Sequence, residues 1–154
     1  MLENLVVILF VYLMDGDMKD KFFEAAKAAA LVSEGVGKRK SFKHGAVIVK
    51  KNQVLASGHN SYKTHPLMAK YTPFPHLHAE QKAIINLGLD NCAGLDLYVV
   101  RINKQKDFMM SKPCSVCRML IDKVGIRNVY YTDENGKTAL SSTGESNSLL
   151  SCRL

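Results

Sequence analysis

The chain is predicted to fold as an α/β domain in which one mixed sheet is covered by helices on both faces. Three observations predict it. Apolar residues recur at helical spacing in three separate stretches, short β-branched runs lie between them, and the order is helix, hairpin, helix, strand, helix, strand. A length of 154 residues suits one such domain, which buries roughly 70% of the surface its unfolded chain would expose.

The first element follows Gly16-Asp17, where MKDKFFEAAKAAALVSEGVG sets Phe22, Ala26, Ala29 and Ala30 at helical spacing before Gly35 and Gly37 stop it. This predicts a helix over about 18–34. HGAVIVKKNQVLASGHN then reads as two β-branched runs around Lys51-Asn52, a hairpin. The stretch SYKTHPLMAKYTPFPH has three of the chain's four prolines and no period, so it is a loop. HAEQKAIINLG follows as a helix with Ala79, Ala83 and Leu87 on one stripe and Gly88 closing it. LDLYVVRI, from Leu95, is a buried strand. NKQKDFMMSK reads as irregular and leads to Pro113, after which Cys117, Leu120, Ile121 and Val124 fall at i, i+3, i+4 and i+7, as in a helix lying on a sheet. Gly125 ends that helix, IRNVYYTD is the next strand, and ENGK is a turn. A short antiparallel strand at Thr138–Leu140 and a polar tail over 141–154 complete the reading.

The composition, 47% hydrophobic and 23% charged, excludes a disordered or collagen-like chain, and no solenoid repeat is visible. A formal charge of +7 favours anionic partners such as nucleotides, polynucleotides or acidic membranes; a solvated basic surface accounts for it as well. Four cysteines in a chain of this length are not a disulfide scaffold, and a reducing, cytoplasmic setting suits the C-x-x-C pair. Cys92 and Cys152 read as structural or incidental. The apolar run Leu5–Met14 is ten residues, whereas a bilayer core needs roughly 20, and Glu3 with no small-residue cleavage site argues against a secretory signal. Residues 1–17 are therefore expected to be buried or self-associating. A translation start at Met14 or Met18 ranks second and a membrane anchor third.

The chemistry-bearing residues sit at two predicted helix starts. His78, Cys114 and Cys117 are three zinc-type donors, the number that leaves a fourth position open for a hydrolytic site. Cys114 and Cys117, three apart, share a helix face, and the positive helix end favours their thiolates. Pro113 suits the first position of a helix. Residues two apart on a helix diverge by about 200°, so His78 and Glu80 can serve one site only at the first turn, His78 bending over the helix end and Glu80 standing beside it as general acid and base. A purely structural zinc site would need a fourth ligand, and His76 is the candidate. His44 and His59 read as hydrogen-bonded framework, and His65 as solvated.

His78-Ala79-Glu80 with Pro113-Cys114-Ser115-Val116-Cys117 matches the H-x-E and P-C-x-x-C signature of zinc deaminases in every specified residue. The chain resembles the cytidine and deoxycytidylate deaminase superfamily over about residues 18–135. That resemblance implies a cytidine deaminase-like α-β-α sandwich over residues 18–140, a Zn2+ cofactor and hydrolytic deamination of a cytosine nucleoside or nucleotide, deoxycytidylate leading. It implies that Asn60 holds the sugar and that the backbone of Ala79, Pro113 and Cys114 lines the base pocket. KYTPFPHLHAEQKAI is similar to the deoxycytidylate branch, approximately K-Y-x-x-x-x-H-A-E-x-N-A-I, but Lys82 stands where that branch has Asn and two residues are added before the His. The loop Asn103–Lys112 is longer than in most members. Phe74, Tyr71 and Phe108 fall in loops expected at the pocket mouth, where an aromatic can stack on a base; Lys104, Lys106 and Lys112 are candidates for phosphate, and packing or solvation accounts for each as well. Superfamily members are often oligomers, so a homo-oligomer is allowed. Two other functions compete. One is deamination of cytosine or adenine in single-stranded DNA or RNA, supported by the basic charge and long loops; the other is a non-catalytic zinc-stabilised binding module, which an intact Glu80 disfavours.

Overall fold

The hairpin forms as expected. In the computed structural model, which describes residues 18–36, 41–70 and 76–142, β1 (Lys43–Lys50) and β2 (Gln53–His59) pair antiparallel across Lys51-Asn52. Helix α1 (Met18–Val32) precedes them, ending two residues before the predicted boundary. Helix α2 (Ala79–Leu87), β3 (Asp96–Ile102), β4 (Phe108–Met109), α3 (Ser115–Lys123), β5 (Asn128–Thr132) and β6 (Thr138–Ser142) follow. Residues 1–17, 37–40, 71–75 and 143–154 lie outside the described residues, and with them the N-terminal apolar run and all of the polar tail beyond residue 142.

The strand order is β2-β1-β3-β5-β6, with β4 paired to β3. Among the described strands only β3 and β5 run parallel, joined through α3; the other pairs are antiparallel, so the sheet is mixed. Strands covered on both faces should be apolar in unbroken runs rather than alternately, and β1 and β3 are so over residues 46–49 and 97–100. Ala46, Ile48, Leu97 and Val99 pack with Ala79, Ala83, Ile84, Cys117, Leu120 and Ile121 of α2 and α3. Val47, Val49, Tyr98, Val100 and Ile102 pack with Phe22, Phe23, Ala26 and Ala30 of α1 on the opposite face. This is the three-layer α-β-α sandwich.

Two glycines set the depth of the helices. A Cβ on Gly45 would lie 2.0 Å from the Ala26 carbonyl oxygen of α1, and one on Gly58 would lie 2.4 Å from the Ala83 nitrogen and 2.5 Å from the Ala79 oxygen of α2. Bare backbone at these positions lets α1 and α2 sink onto opposite faces of one hairpin.

Two expectations need correction. NKQKDFMMSK is not wholly irregular: Asn103 N–H donates to the Asp107 carbonyl at 3.1 Å and its side-chain oxygen accepts from Asp107 N–H at 2.9 Å, closing a turn that sends β4 back along Arg101 and Ile102. A two-residue strand has no period to detect. Strand β6 runs two residues beyond Leu140, because β5 offers partners as far as Asn128↔Ser142. Cys92 is buried, its thiol donating to the Gly88 carbonyl at 3.3 Å and its pKa raised by burial, in keeping with a structural role. Among the described residues no helix is long and apolar enough to cross a membrane.

Candidate metal centre and active site

Helices α2 and α3 lie side by side on one face of the sheet, and the residue just before each is extended: His78 at φ −76, ψ 155 and Cys114 at φ −69, ψ 168. A side chain at such a position is not bound to the helical direction, so each can lean over its own helix end. This resolves the His78–Glu80 geometry, since His78 precedes the helix and Glu80 lies in its first turn. The Gln81 side-chain oxygen accepts from His78 N–H at 2.9 Å and fixes the backbone there. Helix α3 is tied to the sheet edge by Arg118, whose guanidinium donates to the Ser141 hydroxyl of β6 and pairs with Asp122 at 3.2 Å.

His78 Nδ1 lies 3.7 Å from Cys114 Sγ and 3.3 Å from Cys117 Sγ, and all three donor atoms fall within 4.8 Å of one another. Tetrahedral zinc with Zn–S near 2.3 Å and Zn–N near 2.0–2.1 Å separates its N and S donors by about 3.6 Å. The residues therefore fit zinc. His76, the candidate fourth ligand, is not in this cluster; its ring packs edge-on against Tyr62 with centroids 5.0 Å apart. Among the described residues the cluster has three donors, the number of a catalytic rather than a closed structural site.

Glu80 is only 4% exposed. Burial raises its pKa, with the Cys114 charge adding to the rise, opposed by the His78 charge and by hydrogen bonds from its own backbone amide and from Cys117. Burial alone would lower the pKa of His78; the Cys114 hydrogen bond and the charges of Glu80 and Cys114 outweigh it and raise it. His44 completes the surroundings. Its pKa is pushed down to about 3 by burial, then by the charges of Arg101 and His78, with Cys114 opposing. His44, a framework residue by sequence alone, stands beside the centre because it lies two residues before Ala46 on the α2–α3 face of β1.

Asn60 is buried and heavily engaged. Its side-chain oxygen accepts from Ser33 Oγ at 2.7 Å and His44 N–H at 2.9 Å, and its amide donates to the Phe42 carbonyl at 2.8 Å. His59 donates from Nδ1 to the Asn60 carbonyl at 3.2 Å and accepts at Nε2 from Lys82 at 3.1 Å. Lys82 thus anchors the end of β2. Phe108 lies on the opposite face of the sheet from the metal cluster, its ring 6.5 Å from Phe23 and 5.0 Å from Lys27 Nζ, so its expected place at the pocket mouth is corrected: β4 pairs with β3 in the register that points it toward α1. Lys112 is exposed, and Phe74 lies outside the described residues.

The family description "Cytidine and deoxycytidylate deaminase zinc-binding region" matches residues 17–133. A comparison with curated proteins found no match. Among solved structures, dCMP deaminase from the cyanophage S-TIM5 in apo form is 28% identical with a TM-score of 0.53, over 79% of this chain and 86% of that one. The same enzyme in complex with dCMP and dUMP gives 25% and 0.55, over 79% and 85%. Cytidine deaminase from Burkholderia pseudomallei shares the fold at 23% identity and a TM-score of 0.59, over 82% of this chain and 93% of that one. With the zinc ligands, the buried carboxylate and three quarters of its length accounted for, the chain belongs to the cytidine and deoxycytidylate deaminase family.

Proposed function

We propose that the protein catalyses hydrolytic deamination of a cytosine nucleoside or nucleotide, with deoxycytidylate as the leading substrate. The observation that carries this reading is a buried carboxylate, Glu80, in the first turn of the helix whose cap, His78, joins Cys114 and Cys117 in a three-donor cluster. His78, Cys114 and Cys117 would hold zinc, which when bound lowers the pKa of a water to roughly 7 and so supplies a nucleophile at neutral pH. Glu80 accepts a proton as the water oxygen adds to C4 of the base, delivers one to the ring nitrogen N3, and passes one to the amine as the C4–N bond breaks. The products are the uracil compound and ammonia. Burial suits Glu80 to this work by raising its proton affinity toward the working pH.

Substrate contacts follow from what each group has left to offer. Asn60 Oδ1 already accepts twice, so the second hydrogen of its amide is the part that can reach a sugar oxygen. The Ala79 N–H, in the first helical turn, has no intrahelical acceptor and is the donor that can reach the carbonyl oxygen of the base. The dCMP and dUMP complex of the cyanophage enzyme supports a nucleotide substrate. The test is incubation of the zinc-loaded protein with cytosine nucleosides, nucleotides and oligonucleotides, read by ammonia release and the mass change of roughly one dalton on converting amine to carbonyl. No product from any of them overturns the reading; turnover confined to oligonucleotides replaces it with a polynucleotide deaminase.

A further inference from the structure

The two faces of the sheet are covered unequally. Helices α2 and α3 lie on one face, where the core reaches from Ala46 of β1 to Val129 of β5. Among the described residues α1 is the only α-helix on the other face, and its core takes in Val54 of β2, Val47 and Val49 of β1, and Tyr98, Val100 and Ile102 of β3. A helix with its side chains is about 10 Å across, the width of two strand spacings of about 4.8 Å. One helix over β1 and β3 therefore leaves β5 and β6 bare on that side. Tyr130 of β5 stacks on Tyr98 with ring centroids 4.6 Å apart, and Leu140, its partner across the β5–β6 ladder, is 55% exposed. Alternation along β6 fixes the side that Leu140 faces, because the next residue, Ser141, accepts from Arg118 of α3 on the opposite face.

The chain enters α1 beside this bare surface. Phe22 and Phe23, near the start of α1, have rings 5.1 and 5.3 Å from that of Tyr98, the first member of the row Tyr98, Tyr130, Leu140. Just upstream of the helix, Asp15-Gly16-Asp17 has the residues of a turn, and before it Leu5–Met14 is an apolar run of ten residues without a charge. Left in water, such a run exposes more contiguous apolar surface than a monomer usually carries. Ten residues reach about 15 Å as a helix and about 33 Å extended. Strands β5 and β6, five residues each, are about 17 Å long, so the run spans them in either form. Neighbouring helices pack about 8–10 Å apart, again two strand spacings, and a segment laid beside α1 falls on Tyr130 and Leu140. We infer that Leu5–Met14 turns back at residues 15–17 and docks on the β5–β6 half of the α1 face, completing that layer within the same chain. The inference is independent of which substrate is deaminated.

The experiment uses the full-length, zinc-loaded protein, which has no tryptophan of its own, and introduces one by Phe10→Trp. Emission and acrylamide quenching are read with light scattering on the same sample, alone and with Leu140→Glu or Met119→Glu added. Leu140→Glu sets an unpaired charge in the middle of the docking surface. Met119→Glu sets the same charge on α3, where Met119 is 62% exposed, and is the control. The expected result is a blue-shifted, shielded tryptophan in the monomer, with quenching that rises at least about threefold in Leu140→Glu and stays unchanged in Met119→Glu. A tryptophan open to acrylamide in the monomer overturns the inference, and so does one shielded equally in both Glu variants. Shielding only at concentrations where dimers form gives the face to a second copy, and shielding only with vesicles of anionic phospholipid gives the run to a membrane; either result overturns it. Hydrogen exchange in which Leu140→Glu releases residues 143–154 and leaves 5–14 protected assigns the face to the tail and overturns it too. If Phe10→Trp or Leu140→Glu does not fold, Tyr12→Trp and Leu140→Gln carry the same comparisons.

Discussion

Gly58→Ala tests whether the closeness of α2 to the sheet holds the catalytic geometry. The added methyl carbon would lie 2.4 and 2.5 Å from two backbone atoms of α2, about 1 Å inside ordinary van der Waals contact. Backbone on both sides cannot rotate away, so α2 must lift off β2. Over-packing of this kind costs about 1–3 kcal/mol. In a domain of this size that lowers the melting temperature by roughly 2–12 °C. The larger effect is on the site, because Ala79 sits between His78 and Glu80 while the two cysteines ride on α3. A displacement near 1 Å separates the two halves of the centre and is expected to cost up to about 100-fold in turnover. The assays are urea unfolding, zinc content after dialysis against a weak chelator, and deamination rate per folded molecule. Gly45→Ala provides the contrast: it strikes α1 on the other face and should reduce stability with a smaller loss of metal affinity. Wild-type stability and wild-type zinc retention in Gly58→Ala would refute the reasoning.

Glu80→Gln is expected to retain zinc at one equivalent and lose turnover by three orders of magnitude or more, roughly the scale of removing a general acid–base group; metal analysis with an ammonia assay checks both. Cys117→Ser should lower zinc affinity sharply and unfold at lower urea, since Cys117 is fully buried between α3 and the sheet; competition with a chromogenic chelator measures it. Acid sensitivity has a source in His44. Its folded pKa of about 3 lies below the ordinary value of 6.5, so the unfolded chain binds the extra proton between those limits. Its contribution is complete above about pH 6.5 and is lost as pH falls toward 3, at up to about 1.4 kcal/mol per unit. A bound cation would shift it the same way. Unfolding curves at pH 7, 6 and 5 should show a shallower loss in His44→Gln than in wild type; parallel losses would show that His44 is not the group.

The sheet and its helices were legible because burial on both faces writes itself into composition. Continuous apolar runs marked β1 and β3, and helical stripes marked the layers that cover them. The metal ligands were legible for a different reason: imidazole and thiolates at two helix starts have few other uses together. What was not legible depends on pairings between distant segments. That β4 pairs with β3 is fixed by the Asn103–Asp107 turn, not by any pattern in Phe108–Met109, and so the side that Phe108 faces was misread. Arg101 gave no signal at all. An arginine near a strand end is ordinary until its neighbours prove to be Phe42 and His44, more than fifty residues earlier in the chain.

The buried charge at the centre explains why metal and fold belong together. Glu80 and two thiols that must ionise to bind zinc are gathered where little solvent reaches, beside a neutral His44. Three anions in that setting would repel strongly, and His78 alone offsets only one. A divalent cation reverses the balance, turning the repulsion between α2 and α3 into a shared attraction for one ion. The helices are otherwise joined mainly through the sheet beneath them. Zinc therefore acts across the one seam that carries the reaction, and its removal should loosen the first turns of α2 and α3 before it loosens the hairpin and α1 on the other side. Amide hydrogen exchange in the apo protein can see that order directly. Protection lost first in α1, with α2 and α3 unchanged, would mean that the seam is held by packing alone.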